Sequence, residues 1–301
     1  MREEIKNLVP KDKSDTANID KLMKLSDEEI ECIIPELLVW LQDVNWPVAD
    51  AVIEVLVNHK SVVEKHLLNL LKPDNGDEIW KLNVIRYVLG KWKKQSNITI
   101  DKDILSEVER ISEHPTDGEV LEEVDLVACE LLDREFFECR RATVDDVEVL
   151  VEYRKLQLID EGSKPQGNID DELRRFFMDG IKDGSVVIYV TEDDEKIIGT
   201  AGVCYYNYPP TFSNPTGKMA YVTDVYVKPE YRLKGIASKL MVYIMYNIKL
   251  NKCAFARLHA SIHGKKMYEG IGFTDAQGFM IKKIKELEKE YKDTNGGGLI
   301  E

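Results

Sequence analysis

The stretch that most constrains this chain runs from Tyr221 to Leu250. Tyr221–Val227 is rich in β-branched and aromatic residues, the composition of a strand. Pro229 cannot donate to a sheet ladder, so the strand should stop by there. Arg232 to Ala237 then reads Arg-x-x-Gly-x-Ala, and from Ile236 apolar residues recur at Leu240, Ile244 and Ile248, which is helical spacing. A strand, a glycine turn and a helix start leave free backbone N–H groups at the positive end of the helix dipole, where an anion binds. Gly235 allows the backbone to approach such an anion closely. An ordinary strand-to-helix loop looks alike, so the flanking sequence has to decide between the two.

A chain of 301 residues is long enough for two domains with separate cores, and its 44% apolar content is that of a globular protein. No apolar run approaches the roughly 20 residues of a membrane helix. The N-terminus, Met-Arg-Glu-Glu-Ile-Lys, has no apolar signal core. Cys32, Cys129, Cys139, Cys204 and Cys253 are scattered and include no Cys-x-x-Cys, which predicts reduced thiols and a cytoplasmic protein. The net charge of −14 divides into −13 over residues 1–133 and −1 over 134–301. Such an acidic half argues against nucleic-acid binding, which needs a basic face, and reads as a solvated surface.

Residues 1–133 read as an all-helical domain. Ser26-Asp-Glu-Glu is a capping box, and Ile30, Ile33, Ile34, Leu37, Leu38 and Leu41 follow helical spacing. Pro35 interrupts them, so one helix should end near it and another begin with Pro35 in its first turn. Further helices are expected at 47–59, 61–71, 77–94, 101–112 and 117–133, as stacked hairpins. Trp40 and Trp46 either mark a recognition surface or, the preferred expectation, pack against the core. After Glu138 the pattern changes to a short strand, a helix capped at Thr143, and a helix at 170–182. A hairpin of 186–191 and 197–206 follows, then the Tyr221–Val227 strand. Further expected elements are strands at 254–260 and 277–283 around a helix at 262–270. The expected fold class is α+β: an all-helical N-terminal domain, then a mixed sheet flanked by helices over 138–284. Residues 285–301 read as a charged helical end and flexible tail.

Two blocks carry a family resemblance. The strand ending Val-x-Pro followed by Arg-x-x-Gly-x-Ala resembles the acetyl-CoA-binding motif of the GNAT superfamily of N-acetyltransferases. Leu258 to Phe273, with Met-Tyr-Glu-Gly-Ile-Gly-Phe at its end, is similar to that superfamily's second block, in the right order and at the right distance. The resemblance covers roughly 138–284. Separately, Leu8-Val-Pro-Lys-Asp-Lys and the Trp40–Ala49 segment resemble an uncharacterised bacterial helical domain family, which implies no activity.

The GNAT resemblance implies an acetyl-CoA-dependent enzyme that transfers acetyl to a primary amine by direct attack in a ternary complex. Backbone N–H groups of Leu233, Lys234, Gly235, Ile236 and Ala237 would cradle the pyrophosphate. Ser238 would add a hydroxyl, and Arg232 and Lys234 positive charge. The pantetheine would run along Val225 and Val227, and Ser261 stands where many relatives have an Asn that touches it. Tyr268 would be the general acid for the leaving thiolate. Asp224 would orient a cationic amine or relay its proton through water, or else be a carboxylate facing away and hydrogen-bonded at a strand bulge. His259 and His263 lack metal-ligand spacing, so no metal is expected; His263 is an alternative base. Tyr205, Tyr208, Phe212 and Asn214, in or beside the proline-rich loop 207–217, are candidate acceptor contacts. The acceptor itself, a small-molecule or peptide amine, is left open, as is a monomer or homodimer. An alternative of another class makes the domain an acetyl-CoA sensor whose helical half binds a protein partner.

Overall fold

The computed structural model of the protein describes residues 2–95, 99–165, 167–261 and 264–276. The chain divides into two compact units, 1–259 and 260–301. Its first half is helical: α1 (Arg2–Lys6), α2 (Ile19–Leu22), α3 (Asp27–Ile30), α4 (Ile34–Leu38), α5 (Ala49–Asn58), α6 (Lys60–Leu71), α7 (Glu78–Asn83), α8 (Gly90–Lys94), α9 (Lys102–Glu113), α10 (Asp117–Leu121) and α11 (Val124–Leu131). The Ser26–Glu29 capping box starts α3, and Pro35 sits in the first turn of α4, as expected. The helix expected over 77–94 forms as α7 and α8 joined by π-type turns over Val84–Leu89. The single helix expected over 117–133 is broken, because Glu123 takes a left-handed conformation (φ 60°) that no α-helix contains. Ile30, Ile34, Leu56, Leu67, Val88 and Trp92 are among the buried side chains of the core. Trp40 and Trp46 meet edge to face at 5.4 Å against it.

A buried charge network braces this half. Lys81 Nζ lies 3.0 Å from Glu119 Oε1 with both side chains fully buried. Arg110 grips the same carboxylate with two donors, at 3.0 and 2.8 Å. Burial pushes the Glu119 carboxyl up, but hydrogen bonds from Arg110, the Thr116 backbone and Lys81 outweigh it and hold it at about 2.

The second half continues with β1 (Glu138–Arg141), α12 (Val147–Asp160), α13 (Asp170–Asp183), β2 (Val186–Asp193), β3 (Lys196–Asn207), β4 (Lys218–Val227), α14 (Ile236–Leu250), β5 (Phe255–Arg257) and α15 (Lys265–Gly270). The five strands lie in the order β1-β2-β3-β4-β5, antiparallel except for the parallel β4–β5 pair. Asp194 and Glu195 both have positive φ, the two-residue turn that matches strand twist and closes the β2–β3 hairpin. Helices α12 and α13 pack on one face of the sheet and α14 on the other. The α12 face holds its own apolar cluster, including Leu150, Val151, Phe177, Ile188 and Tyr226. The strand expected over 254–260 is only Phe255–Arg257, because β4 offers it ladder partners only at Met219–Tyr221. Strand 277–283 and the tail 285–301 lie outside the described residues, as does His263. No described helix is long and apolar enough to cross a membrane.

The helical half reaches α14 through polar contacts. Lys239 Nζ lies 2.7 Å from Asp125 Oδ2, Tyr243 donates to the Val120 carbonyl at 3.2 Å, and Lys234 pairs with Glu135 at 2.8 Å.

Glu119→Gln leaves Lys81 and Arg110 without their shared charge and is expected to destabilise the protein by about 3 kcal/mol at pH 7. Because the folded carboxyl titrates below its ordinary value of 4.5, its contribution is complete above that pH and disappears as pH falls through about 2. Urea unfolding of both proteins from pH 7 down to pH 3 should show the deficit shrinking with acidity. A constant deficit contradicts the charge network as its source.

Candidate functional site

The strand β4 ends at Val227, and Pro229–Tyr231 make one tight turn. Leu233 (φ 64°) and Gly235 (φ 79°) are both left-handed, which folds the chain sharply into α14. Glycine accepts this conformation at no steric cost, whereas Leu233 is strained by roughly 1–2 kcal/mol. No side chain caps α14, and its first bond runs from Lys239 N to the Gly235 carbonyl at 3.0 Å. The N–H groups of Ile236, Ala237 and Ser238 therefore precede the helical ladder and have no main-chain acceptor among the described residues. A Cβ built on Gly235 meets no atom within 4 Å, so the turn itself is open beside the start of α14. The donor set and the open cradle fit a phosphate group. The two cations expected to help are engaged elsewhere. Arg232 donates to the Val227 carbonyl at 2.9 Å and pairs with Asp160. Lys234 pairs with Glu135 and lies 5.4 Å from the Phe137 ring.

The same strand carries an open edge. β5 pairs with β4 only over Met219–Tyr221, so from Val222 to Val227 that edge has no strand partner among the described residues. Lys228 N donates to the Ile198 carbonyl of the β3 side at 2.9 Å. Backbone groups alternate sides along a strand, so Tyr226 also faces β3 while Val225 and Val227 face the open edge. Arg232 occupying the Val227 carbonyl from outside β3 agrees with this.

Between the paired and open parts of β4 lies a bulge. The β3–β4 register shifts between Thr200 and Gly202, and Asp224 is left-handed (φ 54°). Its carbonyl accepts from Thr200 Oγ1 at 2.7 Å. Its side chain is buried on the α12 face, where Arg154 Nε stands 3.4 Å from Oδ1. Oδ1 nevertheless has no well-aligned hydrogen bond. Burial pushes the Asp224 carboxyl up to about 6, against the pull of the Arg154 charge. Cys204, in register with Tyr221, shares this face, and burial pushes its thiol up to about 12, away from a nucleophilic thiolate. Tyr221 Oη lies 3.5 Å from His259 Nδ1. Asp224 thus lies at a strand bulge with its carboxylate buried, but Oδ1 lacks the hydrogen bond expected of a carboxylate facing away there.

The remaining expected residues are dispersed. Tyr205 donates to Asn247 of α14 at 2.7 Å, which puts it on the sheet face opposite Asp224. Asn214 is 4% exposed and committed to its own loop, donating to the Lys218 carbonyl and accepting from Thr216. Phe212 is fully exposed, and Tyr208 lies 6.0 Å from the Arg257 guanidinium. Ser261 and Tyr268 belong to the unit 260–301. There Ser261 Oγ accepts from Gly264 N, and the buried Tyr268 ring packs edge-on at 6.0 Å against Phe273. Gly264 is needed for this packing, since a Cβ would stand 2.9 Å from the Tyr268 ring. Sequence reasoning missed Arg154, Gln157 and Thr200. The first two recur with Glu161 at i, i+3 and i+7, a polar stripe on α12 that helical spacing alone would have revealed.

Comparison with known proteins finds two family models. Residues 8–132 match a domain of unknown function (DUF5071), and residues 184–275 match an acetyltransferase (GNAT) domain. A thialysine N-ε-acetyltransferase of Sus scrofa is 36% identical over 88 residues, covering 27% of this chain and 51% of that protein. The chain therefore spans about half the length of the curated relative it matches. A predicted acetyltransferase from Clostridium acetobutylicum, solved with acetyl-CoA, is 33% identical with a TM-score of 0.48, covering 51% of this chain and 98% of that one. A GCN5-related N-acetyltransferase from Ralstonia eutropha is 28% identical with a TM-score of 0.47, covering 50% and 99%.

Gly235→Asp places a like charge in the anion cradle and a Cβ at positive φ. Calorimetry is expected to show acetyl-CoA affinity at least about a hundredfold weaker, with circular dichroism unchanged and only a small loss of thermal stability. Native affinity in this variant would reduce the 232–237 turn to a connecting loop.

Proposed function

Because residues 184–275 form an acetyltransferase domain of the GNAT family, we propose that the protein is an acetyl-CoA-dependent N-acetyltransferase acting on a primary amine. The observation that carries this reading is the uncapped start of α14 following in sequence on β4, a strand with an open edge. One offers donors for a pyrophosphate; the other offers the Val225 and Val227 backbone to an extended amide-containing arm, which would pair as an added strand. The kinship with a thialysine N-ε-acetyltransferase supports an amine acceptor.

Acetyl-CoA, when bound, supplies an activated thioester. The chain's residues then have three tasks. The N–H groups of Ile236, Ala237 and Ser238 hold phosphate, with the Leu233–Gly235 backbone closing the cradle. An outward N–H of β4 polarises the carbonyl that the amine attacks. Asp224, nearly buried and titrating near 6, takes the amine's proton through a water. As the carbon–nitrogen bond forms and the carbon–sulfur bond breaks, Tyr268 gives its phenolic proton to the thiolate. The high pKa of the Cys204 thiol supports direct attack by the amine over a cysteine-bound acetyl group.

Incubation with acetyl-CoA and a panel of primary amines is expected to release free thiol with at least one alkylamine. No release across the panel, with acetyl-CoA still bound in calorimetry, would overturn the transfer reading. Tyr268→Phe should lower kcat about a hundredfold while acetyl-CoA affinity is retained. An unchanged kcat removes Tyr268 from the mechanism.

A further inference from the structure

We infer that Arg154 and Gln157 of α12 are positioning residues that hold the Asp224 carboxylate ready for proton transfer. This rests on the acetyltransferase reading for its catalytic meaning, but its geometry is independent of it. Gln157 is 8% exposed, a buried amide beside the apolar cluster of α12. A buried amide is retained only where its groups are satisfied. Its Oε1 accepts from Arg154 Nη1 at 3.0 Å, and its Nε2 donates to Glu161 Oε1 at 3.0 Å. Arg154 Nε in turn stands 3.4 Å from Asp224 Oδ1. Glu161, Gln157, Arg154 and Asp224 thus form a line from the exposed end of α12 to the β4 bulge. The i, i+3, i+7 spacing of Arg154, Gln157 and Glu161, the last at the C-terminal cap of α12, makes that line possible.

The line has a specific consequence. Oδ1 of Asp224 has charge but no well-aligned hydrogen bond from Arg154. The guanidinium stabilises the carboxylate by charge, while Oδ1, closed off from solvent, keeps its hydrogen-bonding capacity unspent. Gln157 keeps the guanidinium from rotating into a closed two-donor pair. The other groups facing Asp224 are neutral or repel its charge. From β3 come the Cys204 thiol, the Gly202 backbone and the Thr200 hydroxyl, and from β4 Tyr221 and Thr223. Glu161 disfavours the carboxylate electrostatically. Arg154 is therefore the one cation among the described residues that favours ionised Asp224.

The sign of the effect follows. Removing the positive charge raises the Asp224 pKa, so less base is ionised at a given pH. Arg154→Met is expected to move the acid limb of the kcat/KM profile about one pH unit higher or more, about a tenfold loss at the acid end. Arg154→Lys should keep the limb within a few tenths of the wild-type position. Gln157→Met should shift it upward by less than Arg154→Met. A merely structural role would lower activity at all pH values without moving the limb. The independent readout is the carboxyl 13C resonance of Asp224, assigned by its loss in Asp224→Asn and titrated in the full chain without substrates. The same upward shift in Arg154→Met supports the assignment even if no amine is acetylated. That combination would count against the function and not against this inference. An Asp224 resonance whose titration is unmoved in both Arg154→Met and Gln157→Met, in proteins with native circular dichroism, overturns it.

Discussion

The bulge at Asp224 is the constraint on which the site depends. An extra residue in β4 interrupts pairing with β3 and rotates the strand beyond it. The Thr200 hydroxyl takes the carbonyl that the ladder has lost. The left-handed backbone turns the Asp224 side chain towards α12 and Arg154, into a setting where burial and one cation compete over its charge. From Val225 onward the strand resumes with its backbone groups set against the edge that β5 leaves bare. A single conformational irregularity therefore separates the face with the buried Asp224 carboxylate from an open hydrogen-bonding edge on the same strand.

Helix α14 ties that strand to the rest of the chain. Its start is shaped by two left-handed residues and left uncapped, which is unfavourable for an isolated helix and suited to binding an anion. Its first turns are secured from outside. Lys239 is drawn to Asp125, Tyr243 to the Val120 carbonyl, and Lys234 to Glu135. These partners lie beside the broken α10–α11 segment, whose Glu123 kink ends one helix and starts the next. The helical half and the sheet thus have separate apolar clusters but share polar fastenings on one helix. The cost of an uncapped helix start is offset in part by contacts elsewhere on α14.

Local signals carried the secondary structure a long way. The capping signals at Ser26 and Thr143 mark real helix starts, because a side chain that accepts from a backbone N–H two or three residues on acts within one turn. The hairpin around Asp194 was legible from alternation and a polar turn. The helix over 117–133 misled because the left-handed Glu123 has no compositional signature. The short β5 misled because a strand's extent depends on its neighbour's register. Among the site residues, Asn214 and Tyr205 show the same limit: composition placed them by a loop, while their hydrogen bonds serve Lys218, Thr216 and Asn247.

What the sequence determined by itself was the order of elements and the glycine turn before α14, since both rest on contacts a few residues apart. The resemblance of two short blocks named the chemistry for the same reason: a phosphate cradle is built from consecutive backbone groups. Only the tertiary structure decided that Asp224 is buried at a bulge, that Arg154 and Gln157 stand over it, and that β4 keeps a bare edge beside it. These features join residues some 70 positions apart, as Arg154 and Asp224 are. No periodicity within one segment encodes which side chain of a helix will meet which irregularity of a strand. Packing of α12 on the sheet settles that, because desolvation and charge act through space rather than along the chain.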